Sequence, residues 1–438
     1  MPNVKTILYS VSTGYFARNL LRTGVIERLL KNPDIRIVIV SPGQEEEEFV
    51  KEFSFDKRIH IEKMHSVNNS YDFMDAIIWK FWLLGHKHRE LQGLYKLAVK
   101  FQLYKRYYRR YHRLYKKIFD AYMPNLVVGG TPGVNSRHDI PIFAEALKRG
   151  IPTLGLVHSW DHIAKRKGPL WVRPDFLGVW NKFQKNDAVD ANFYKSEKVI
   201  LLGPPHFDYY WHNDTFMTRE EFFNKMGLDP SKKLITMIAT VPAFSRSDFI
   251  VDILLDALKN NMFAFPVQLV CRPTPSVDRR RNEEEFGKYL NNPLIVVDNN
   301  QSRWTPKLGW NPDREQIKYF ANLIRHTDVQ VSIASTATIE ASLVDRPVVN
   351  VGFNTVEPDR FEKFVLNSVY QNHFKAIVDI GATFIAKDPE SLIKGINMYL
   401  INPDIHRKER EKLKNALIYK ADGKAVERIS KIILSIMK

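Results

Sequence analysis

Residues 5–40 read KTILYSVSTGYFARNLLRTGVIERLLKNPDIRIVIV, a pattern that predicts a strand, a helix and a second strand. Residues 5–10 and 35–40 are short β-branched runs, and residues 15–31 repeat apolar side chains at helical spacing. Strands separated by crossover helices are typical of a parallel sheet. The stretch therefore predicts an α/β fold, with one helix over 15–31 joining two parallel strands.

The same alternation continues along the chain in two series. The first series adds predicted strands at 125–128, 153–157, 176–179 and 199–202. The second has predicted strands at 234–239, 267–270, 294–297, 329–333 and 348–351, and helices at 248–259, 314–326 and 338–344. Two α/β units of roughly 200 residues each are the simplest account. We expect an N-terminal domain over 1–212, a C-terminal domain over 213–420 and a closing helix over 421–438.

Composition narrows the class of protein. The 438 residues include 65 Lys and Arg against 49 Asp and Glu, a formal net charge of +16 at pH 7. Hydrophobic residues make up 44%, enough for sizeable cores, which argues against a disordered or fibrous chain. Cys271 is the single cysteine, so no internal disulfide can form and a reducing compartment is expected. With no secretory signal and no apolar stretch of about 18 residues, we expect a cytoplasmic protein.

An insertion over 71–120 holds much of the positive charge. Residues 91–119 contain no Asp or Glu, and aromatic and apolar residues recur there at steps of three and four, which predicts one helix with an aromatic stripe opposite a basic one. The nine basic residues of this segment are Lys96, Lys100, Lys105, Arg106, Arg109, Arg110, Arg113, Lys116 and Lys117.

Two interpretations of this insertion stay open. The stripe packs on the first domain and leaves a solvated basic face, or the basic face binds an anionic membrane, where each Lys or Arg contributes on the order of 1 kcal/mol. Nucleic acid would attract the same charge, but the sequence has no nucleic-acid-binding motif. We expect peripheral association with the inner face of the cytoplasmic membrane, with Arg106, Arg109, Arg110 and Arg113 as membrane-binding residues.

The loops after predicted strands are the places to look for ligand sites, because open parallel sheets bind ligands beyond the carboxyl ends of their strands. The first strand is followed by Ser12, Thr13 and Gly14. This loop either binds an anion or the acceptor, or only forms the turn between strand and helix. His158 and Asp161 follow the strand at 153–157. One is a candidate for a general base and the other for the group that orients it. The alternative is that both residues have only a structural role.

The second series offers a donor-binding set. Arg272 ends a strand before Pro273 and suits bidentate binding of a phosphate, or is a surface residue of a stiff loop. Ser335 and Thr336 lie at a predicted helix start, where hydroxyls cap the helix or bind a diphosphate, and Glu340 follows one turn later, where it could bind ribose hydroxyls.

Together these residues resemble the two-domain nucleotide-sugar transferases of the GT-B fold. The similarity is to bacterial surface-polysaccharide glycosyltransferases allied to the glycerophosphotransferases that use CDP-glycerol. It spans most of the chain and is most specific at 328–348, with Ser335-Thr336 and Glu340-Ala341. The segments 158–161 and 203–208 are similar to the end of the family's N-terminal domain.

The resemblance implies two Rossmann-like domains with parallel sheets facing across a cleft. The first would bind the acceptor and the second the donor, with Ser335 and Thr336 on the diphosphate, Glu340 on the ribose and Arg272 on the phosphates. His158 aligns with the family's catalytic base. Because Ser-Trp-Asp follows it here instead of a Gly-rich sequence, the base stays open between His158 and Asp161.

Departures from the family pattern refine this expectation. Thr274 stands where the glycerophosphotransferases carry His, which favours a sugar donor. Retaining members often use two glutamates seven residues apart, but Ile333 stands seven residues before Glu340, so we expect inversion. The family usually works without a bound metal, and we expect neither metal nor cofactor.

The function expected from the sequence is transfer of a sugar from a nucleotide-sugar donor to a hydroxyl of a lipid-linked or polymeric glycan, in polysaccharide biosynthesis. Two alternatives remain. One is a nucleotide-sugar epimerase of related fold, and the other is a non-catalytic scaffold that binds membrane or carbohydrate.

Overall fold

The computed structural model describes residues 4–67, 73–87, 109–111, 113–134, 136–163, 170–241, 245–275, 279–298 and 303–437. Two parallel sheets with helices around them form the described chain, which confirms the predicted α/β class. The chain divides into two compact units. Unit 1 comprises Met1–Asp208, Thr305–Asn311 and Ile418–Lys438, and unit 2 comprises Tyr209–Trp304 and Pro312–Leu417.

The sheet of unit 1 has seven strands in the order β3-β2-β1-β4-β5-β6-β7, and every neighbouring pair is parallel. Most of its strands are buried apolar runs of the kind that predicted them. The edge strand β3 was missed because its residues are mostly half-buried and polar. The strands are β1 (Lys5–Ser10), β2 (Ile35–Ser41), β3 (Ile59–Lys63), β4 (Leu126–Gly129), β5 (Thr153–Leu156), β6 (Phe176–Val179) and β7 (Val199–Leu201).

The single helix predicted over 15–31 is wrong. The segment forms helix α1 (Gly14–Asn19), a 3₁₀ turn over Leu21–Thr23 and helix α2 (Val25–Leu29). Gly24 interrupts it with a φ of 94°, a left-handed conformation that glycine adopts at little cost. Both helices still bury their apolar side chains against the sheet, as the periodicity predicted.

Helix α3 (Glu47–Phe53) precedes the insertion. Helix α4 (Phe73–Lys87) lies near the start of the insertion and α5 (Lys116–Tyr122) at its end. Residues 88–108 and 112 lie outside the described part, so the predicted helix can be followed only from 109. Residues 109–111 are helical but 113–115 form a turn, so the expected unbroken helix is wrong there. The turn lets Tyr115 pack in the core with Phe119 and Trp82, where its hydroxyl accepts the backbone N–H of His65 at 2.9 Å.

Unit 1 also contains the C-terminal helix. Its first amides, at Ala425 and Val426, donate to the carboxylate of Asp208 at 3.1 and 2.8 Å, and Ile429 and Ile433 lie in the core of the sheet. The domain boundaries expected from the sequence are at 212 and 420, whereas the contacts of the folded chain place residues 305–311 and 418–438 in unit 1. The other helices of unit 1 are α6 (Ile140–Lys148), α7 (Lys182–Asp190) and the C-terminal α17 (Ala425–Ile436).

The sheet of unit 2 has six parallel strands in the order β10-β9-β8-β13-β14-β15. The short strand β15 at its edge was not predicted. The strands are β8 (Lys233–Ile238), β9 (Val267–Arg272), β10 (Ile295–Val297), β13 (Val329–Ser332), β14 (Val348–Val351) and β15 (Phe384–Ala386); β11 (Trp304–Thr305) and β12 (Gly309–Trp310) form a separate two-stranded sheet. The helices are α8 (Arg219–Met226), α9 (Asp248–Lys259), α10 (Arg279–Phe286), α11 (Arg314–His326), α12 (Ala337–Leu343), α13 (Pro358–Phe361), α14 (Lys375–Ile380), α15 (Pro389–Ile401) and α16 (Arg407–Leu417).

Candidate active site

His158 lies just beyond the carboxyl end of β5 and is buried, with 7% of its surface exposed. Two side chains fix the backbone around it. The side-chain amide of Asn19, at the end of α1, donates to the carbonyl of His158 at 2.6 Å, and the indole N–H of Trp180 donates to the carbonyl of Val157 at 2.6 Å. The backbone that carries the imidazole is thus held from α1 and from the end of β6.

Burial is the main cause that lowers the pKa of His158 well below the ordinary value of 6.5. The imidazole of His162, whose ring centroid is 4.2 Å away, and the guanidinium of Arg18 lower it further, whereas Asp161 and a hydrogen bond to the backbone of Leu156 act in the opposite direction. At neutral pH the His158 ring is therefore uncharged. A neutral imidazole has a lone pair that can take a proton from a hydroxyl, which is the property of a general base.

Asp161 lies on the turn that follows His158. Its Oδ1 accepts the hydroxyl of Ser159 at 2.5 Å and lies 4.0 Å from Nε2 of His162. The structure thus gathers a carboxylate and two imidazoles on one turn after β5, as the sequence suggested for His158 and Asp161. Both remain candidates for the base.

A small cavity of unit 1 adjoins His158 and is lined by a second imidazole, that of His206, which was not among the candidate residues. His206 lies in the 3₁₀ turn Pro205–Trp211 and lines the cavity together with His158 and Trp180. The segment 203–208 contains two prolines before His206, and nothing in its sequence separates a catalytic histidine from a structural one. Only the fold brings residue 206 beside residue 158.

The loop at Ser12, Thr13 and Gly14 contacts the chain's own backbone. The Thr13 hydroxyl accepts the backbone N–H of Phe16 at 3.4 Å and caps α1. The Gly14 N–H donates to the carbonyl of Leu308 at 2.8 Å. A Cβ at Gly14 would lie 2.1 Å from the carbonyl oxygen of Trp310, so a side chain there would collide with this segment. The Gly14 amide is therefore engaged by residues 305–311 of unit 1.

Asp139 was also not among the candidate residues. It lies directly before α6 and links this helix to the end of β1 through hydrogen bonds. Its carboxylate accepts the hydroxyls of Ser10 and Ser12, the latter at 2.6 Å. Burial raises the pKa of Asp139 to about 6, even though the two serine hydrogen bonds act to lower it. A carboxyl that titrates near neutral pH thus lies next to the loop after β1.

In unit 2 the predicted donor-binding residues lie at the carboxyl edge of one sheet. Arg272 ends β9 and Ser332 ends β13, and both pair with Ile238 of the strand between them. Ser335 and Thr336 follow β13 and are half-buried. The Ser335 hydroxyl oxygen accepts the N–H of Ala337 at 3.2 Å, which is the local capping bond that the sequence allowed.

Glu340 and Arg272 are both buried and both already have partners within unit 2. Oε2 of Glu340 accepts the hydroxyl of Tyr210 at 2.7 Å. Nη1 of Arg272 donates to Oδ2 of Asp298 at 2.5 Å, and its guanidinium lies 4.6 Å from the centroid of the Phe320 ring. Arg272 is 5% exposed, so it is not the surface residue that one interpretation of the sequence allowed.

The predicted membrane-binding residues can be placed in part. Arg109, Arg110 and Arg113 are exposed, whereas Arg106 lies outside the described residues. In the part of the chain that the structure describes, every helix is too short or too polar to cross a membrane. The same described residues include no cluster of three or more His, Cys, Asp or Glu placed to hold a metal ion.

Sequence comparison finds neither a family model that matches the chain nor a curated protein with significant similarity. Comparison with solved structures finds many similar chains. The S. aureus MnaA structure with UDP has a TM-score of 0.56 and 14% identity over 99% of this chain and 98% of that one. A glycosyltransferase from Rickettsia africae ESF-5 has a TM-score of 0.53 and 14% identity over 100% and 99% of the two chains.

A variant of the wall teichoic acid polymerase TagF with CDPG has a TM-score of 0.52 and 13% identity over 99% of this chain and 89% of that one. UDP-N-acetylglucosamine 2-epimerases are also among the similar structures. At such low identity the likeness concerns the fold. Together with the two parallel sheets, it confirms the fold expected from the sequence resemblance: the chain has the GT-B fold, with two Rossmann-like domains.

Proposed function

We propose that this protein is a glycosyltransferase that moves a sugar from a nucleotide-sugar donor to a hydroxyl of a lipid-linked or polymeric glycan, in the synthesis of a cell-surface polysaccharide. The observation that carries the proposal is the buried, uncharged imidazole of His158 at the carboxyl end of β5, in a chain of the GT-B fold. This edge of a parallel sheet is where ligands bind.

The proposed reaction inverts the anomeric centre. The base, His158 or Asp161, takes the proton of the acceptor hydroxyl as its oxygen forms a bond to the anomeric carbon. The bond between that carbon and the phosphate oxygen breaks, and the nucleoside diphosphate leaves with the electron pair. The family resemblance supports inversion, because Ile333 occupies the position where retaining members often carry the second glutamate of a pair with Glu340. The proposal includes neither a metal nor a cofactor.

Unit 2 supplies the donor-binding residues in this proposal. The hydroxyls of Ser335 and Thr336 contact the diphosphate, and Glu340, oriented by Tyr210, accepts hydrogen bonds from the ribose. Arg272 is held by Asp298 through one nitrogen, and its guanidinium carries further N–H donors that suit a phosphate. The second domain thereby binds the donor and the first binds the acceptor.

We further propose that the protein is cytoplasmic and binds the inner face of the membrane through the basic residues of the insertion. The exposed Arg109, Arg110 and Arg113 support an electrostatic attraction to anionic lipid. Tyr115 and Phe119, by contrast, are buried in the core of unit 1, so this end of the aromatic stripe does not serve as a membrane anchor. The packing interpretation thus holds for Tyr115 and Phe119, and the proposal assigns membrane binding to the exposed arginines.

The proposal is tested in two steps. A thermal-shift screen over UDP-, GDP-, CMP-, CDP- and dTDP-sugars identifies the donor, because a ligand that binds only the folded state raises the melting temperature. The stabilising donor is then incubated with candidate acceptors, and the products are analysed. Acceptor-dependent release of the nucleotide together with a glycosylated product is the expected result. Failure of every donor to stabilise the protein or to react would count against the proposal.

The epimerase alternative is favoured by one observation, the likeness to UDP-N-acetylglucosamine 2-epimerases. It predicts that the donor alone, without acceptor, yields an isomeric nucleotide-sugar. The same product analysis separates the two reactions. A non-catalytic scaffold predicts binding without turnover at any protein concentration.

A further inference from the structure

His206 is an unexplained buried polar side chain of unit 1. It is 5% exposed, and its ring packs at 5.1 Å from Trp180 and 4.4 Å from Phe207, measured between ring centroids. Neither of its ring nitrogens has a hydrogen-bond partner among the described residues. Leaving a buried donor or acceptor without a partner costs its desolvation free energy, so such a residue points to a ligand or water at that place.

The cavity beside His206 offers that place. It has a volume of about 20 Å³ and is lined by both His158 and His206. Roughly 10–15 Å³ is enough for one water molecule, which needs about two to four polar partners. Two imidazoles on the cavity wall provide two of them, while Phe16, Leu20 and Leu156 make much of the remaining wall apolar.

We propose that His206 is a positioning residue of the acid–base site: it hydrogen-bonds a water in this cavity, and the water hydrogen-bonds the His158 imidazole and helps to hold its orientation. The proposal rests on the function proposed above, in which His158 acts on the acceptor hydroxyl. His206 acts through His158 and touches no substrate.

The charges around the cavity agree with this role. The pKa of His206 is well below 6.5, chiefly because of burial and then because of Arg18 and His158. Arg18 on α1, His162 and Asp161 on the turn after β5, and a hydrogen bond to the backbone of Leu156 also act on His158. With both imidazoles uncharged, each has one donor and one acceptor, and a water between them can bridge His206 to His158.

Two substitutions test the proposal. His206→Phe keeps a flat ring and removes both nitrogens, and His206→Gln keeps a donor and an acceptor for the water. We expect His206→Phe to lower kcat about tenfold at nearly constant KM and to move the acid limb of the pH profile, whereas His206→Gln should stay within about threefold of the unchanged protein. His60→Phe is the control, because His60 also packs on an aromatic ring, that of Tyr122, outside this cavity.

A second readout needs no substrate. In ¹⁵N spectra of the free protein, the imidazole signals that disappear in His158→Ala report the hydrogen bonding of His158. We expect the same chemical shifts in the unchanged protein and in His206→Gln, and different shifts in His206→Phe. If the His158 shifts or the kinetics are the same in His206→Phe as in the unchanged protein, or if His206→Gln behaves like His206→Phe, the positioning role is wrong. If the shifts respond as expected but no donor is turned over, the proposed function fails and the positioning of His158 stands.

Discussion

The hydroxyl of Tyr210 donates to Oε2 of Glu340 at 2.7 Å, and this bond fixes one oxygen of a carboxylate near the carboxyl edge of the second sheet. Glu340 is buried, so its side chain is held in one orientation. A carboxylate held in this way can accept hydrogen bonds from two vicinal hydroxyls, as a ribose would offer.

We therefore predict that Glu340→Ala weakens donor binding about tenfold or more, and that Tyr210→Phe weakens it by a smaller factor of about five, because the carboxylate remains but is less well oriented. Isothermal titration with the donor found by the thermal-shift screen measures both. Tyr122→Phe is a matched control, since the Tyr122 hydroxyl makes a similar bond to Glu62 at 2.6 Å in unit 1. Unchanged donor affinity in Glu340→Ala would remove Glu340 from the donor site.

The second prediction concerns the base. His158→Ala or Asp161→Asn should lower kcat on the order of 100-fold, whichever of the two is the base. The pH profile tests the state of His158. Since the pKa of His158 lies well below 6.5, its neutral form persists as pH falls through 6.5, and the rate should stay constant there. The acid limb should appear only at lower pH. A base with the ordinary histidine pKa would instead lose activity near pH 6.5. Full activity in both variants would leave the site without either base.

Much of this fold could be predicted from the sequence because parallel strands are buried on both faces and read as continuous apolar runs. The edge strand β3 escaped prediction because three of its five residues are polar or charged, and β15 because a strand of three residues is too short to give a clear apolar run. The break between α1 and α2 at Gly24 was not predicted, because apolar residues recur at helical spacing on both sides of this glycine.

The candidate site was predictable only where its residues are close in sequence. His158 and Asp161 share one turn and were found together. The contacts of His158 with Asn19, of Asp139 with Ser10 and of Arg272 with Asp298 join residues far apart in the chain. Such contacts depend on the order of the strands in the sheet, and the local pattern of apolar and polar residues contains no information about that order.

The third prediction concerns Asp139. Its pKa is raised from 3.8 to about 6 in the folded protein, so folding favours the protonated carboxyl. The stability that this proton contributes is complete below about pH 4 and is lost as pH rises through about 6, by roughly 3 kcal/mol. Asp139→Asn should remove this dependence. Urea unfolding of both proteins from pH 4 to 7.5 measures it, and a constant difference between them across that range would contradict the prediction.

The fourth prediction concerns the close approach at Gly14. In Gly14→Ala the added Cβ would lie 2.1 Å from the Trp310 carbonyl, so residues 305–311 must move and the bond to Leu308 is strained or lost. We expect a cost of about 1–3 kcal/mol, seen as a fall of several degrees in Tm, and faster proteolysis at 305–311. Gly287→Ala is the control, because a Cβ there meets no atom within 4 Å. Equal effects of the two substitutions would refute the close approach as the cause.

The fifth prediction concerns the basic insertion. Replacing Arg106, Arg109, Arg110 and Arg113 by Ser should lower binding to vesicles rich in anionic lipid on the order of 100-fold or more, because each charge adds to the attraction. Vesicle flotation measures this, and raising the salt concentration should weaken binding of the unchanged protein in the same direction. A control variant removes the same amount of charge elsewhere in unit 1, through Lys31, Lys51, Lys57 and Lys182, all exposed.

The comparison of the two variants separates a local binding surface from a general effect of the +16 net charge. If the attraction is local, the arginine variant loses binding and the lysine variant keeps most of it. If both variants lose binding equally, binding to the vesicles depends only on the net charge of the protein. If the arginine variant still floats with the vesicles, these arginines do not form the membrane-binding surface, and the solvated basic face is the whole explanation of their exposure.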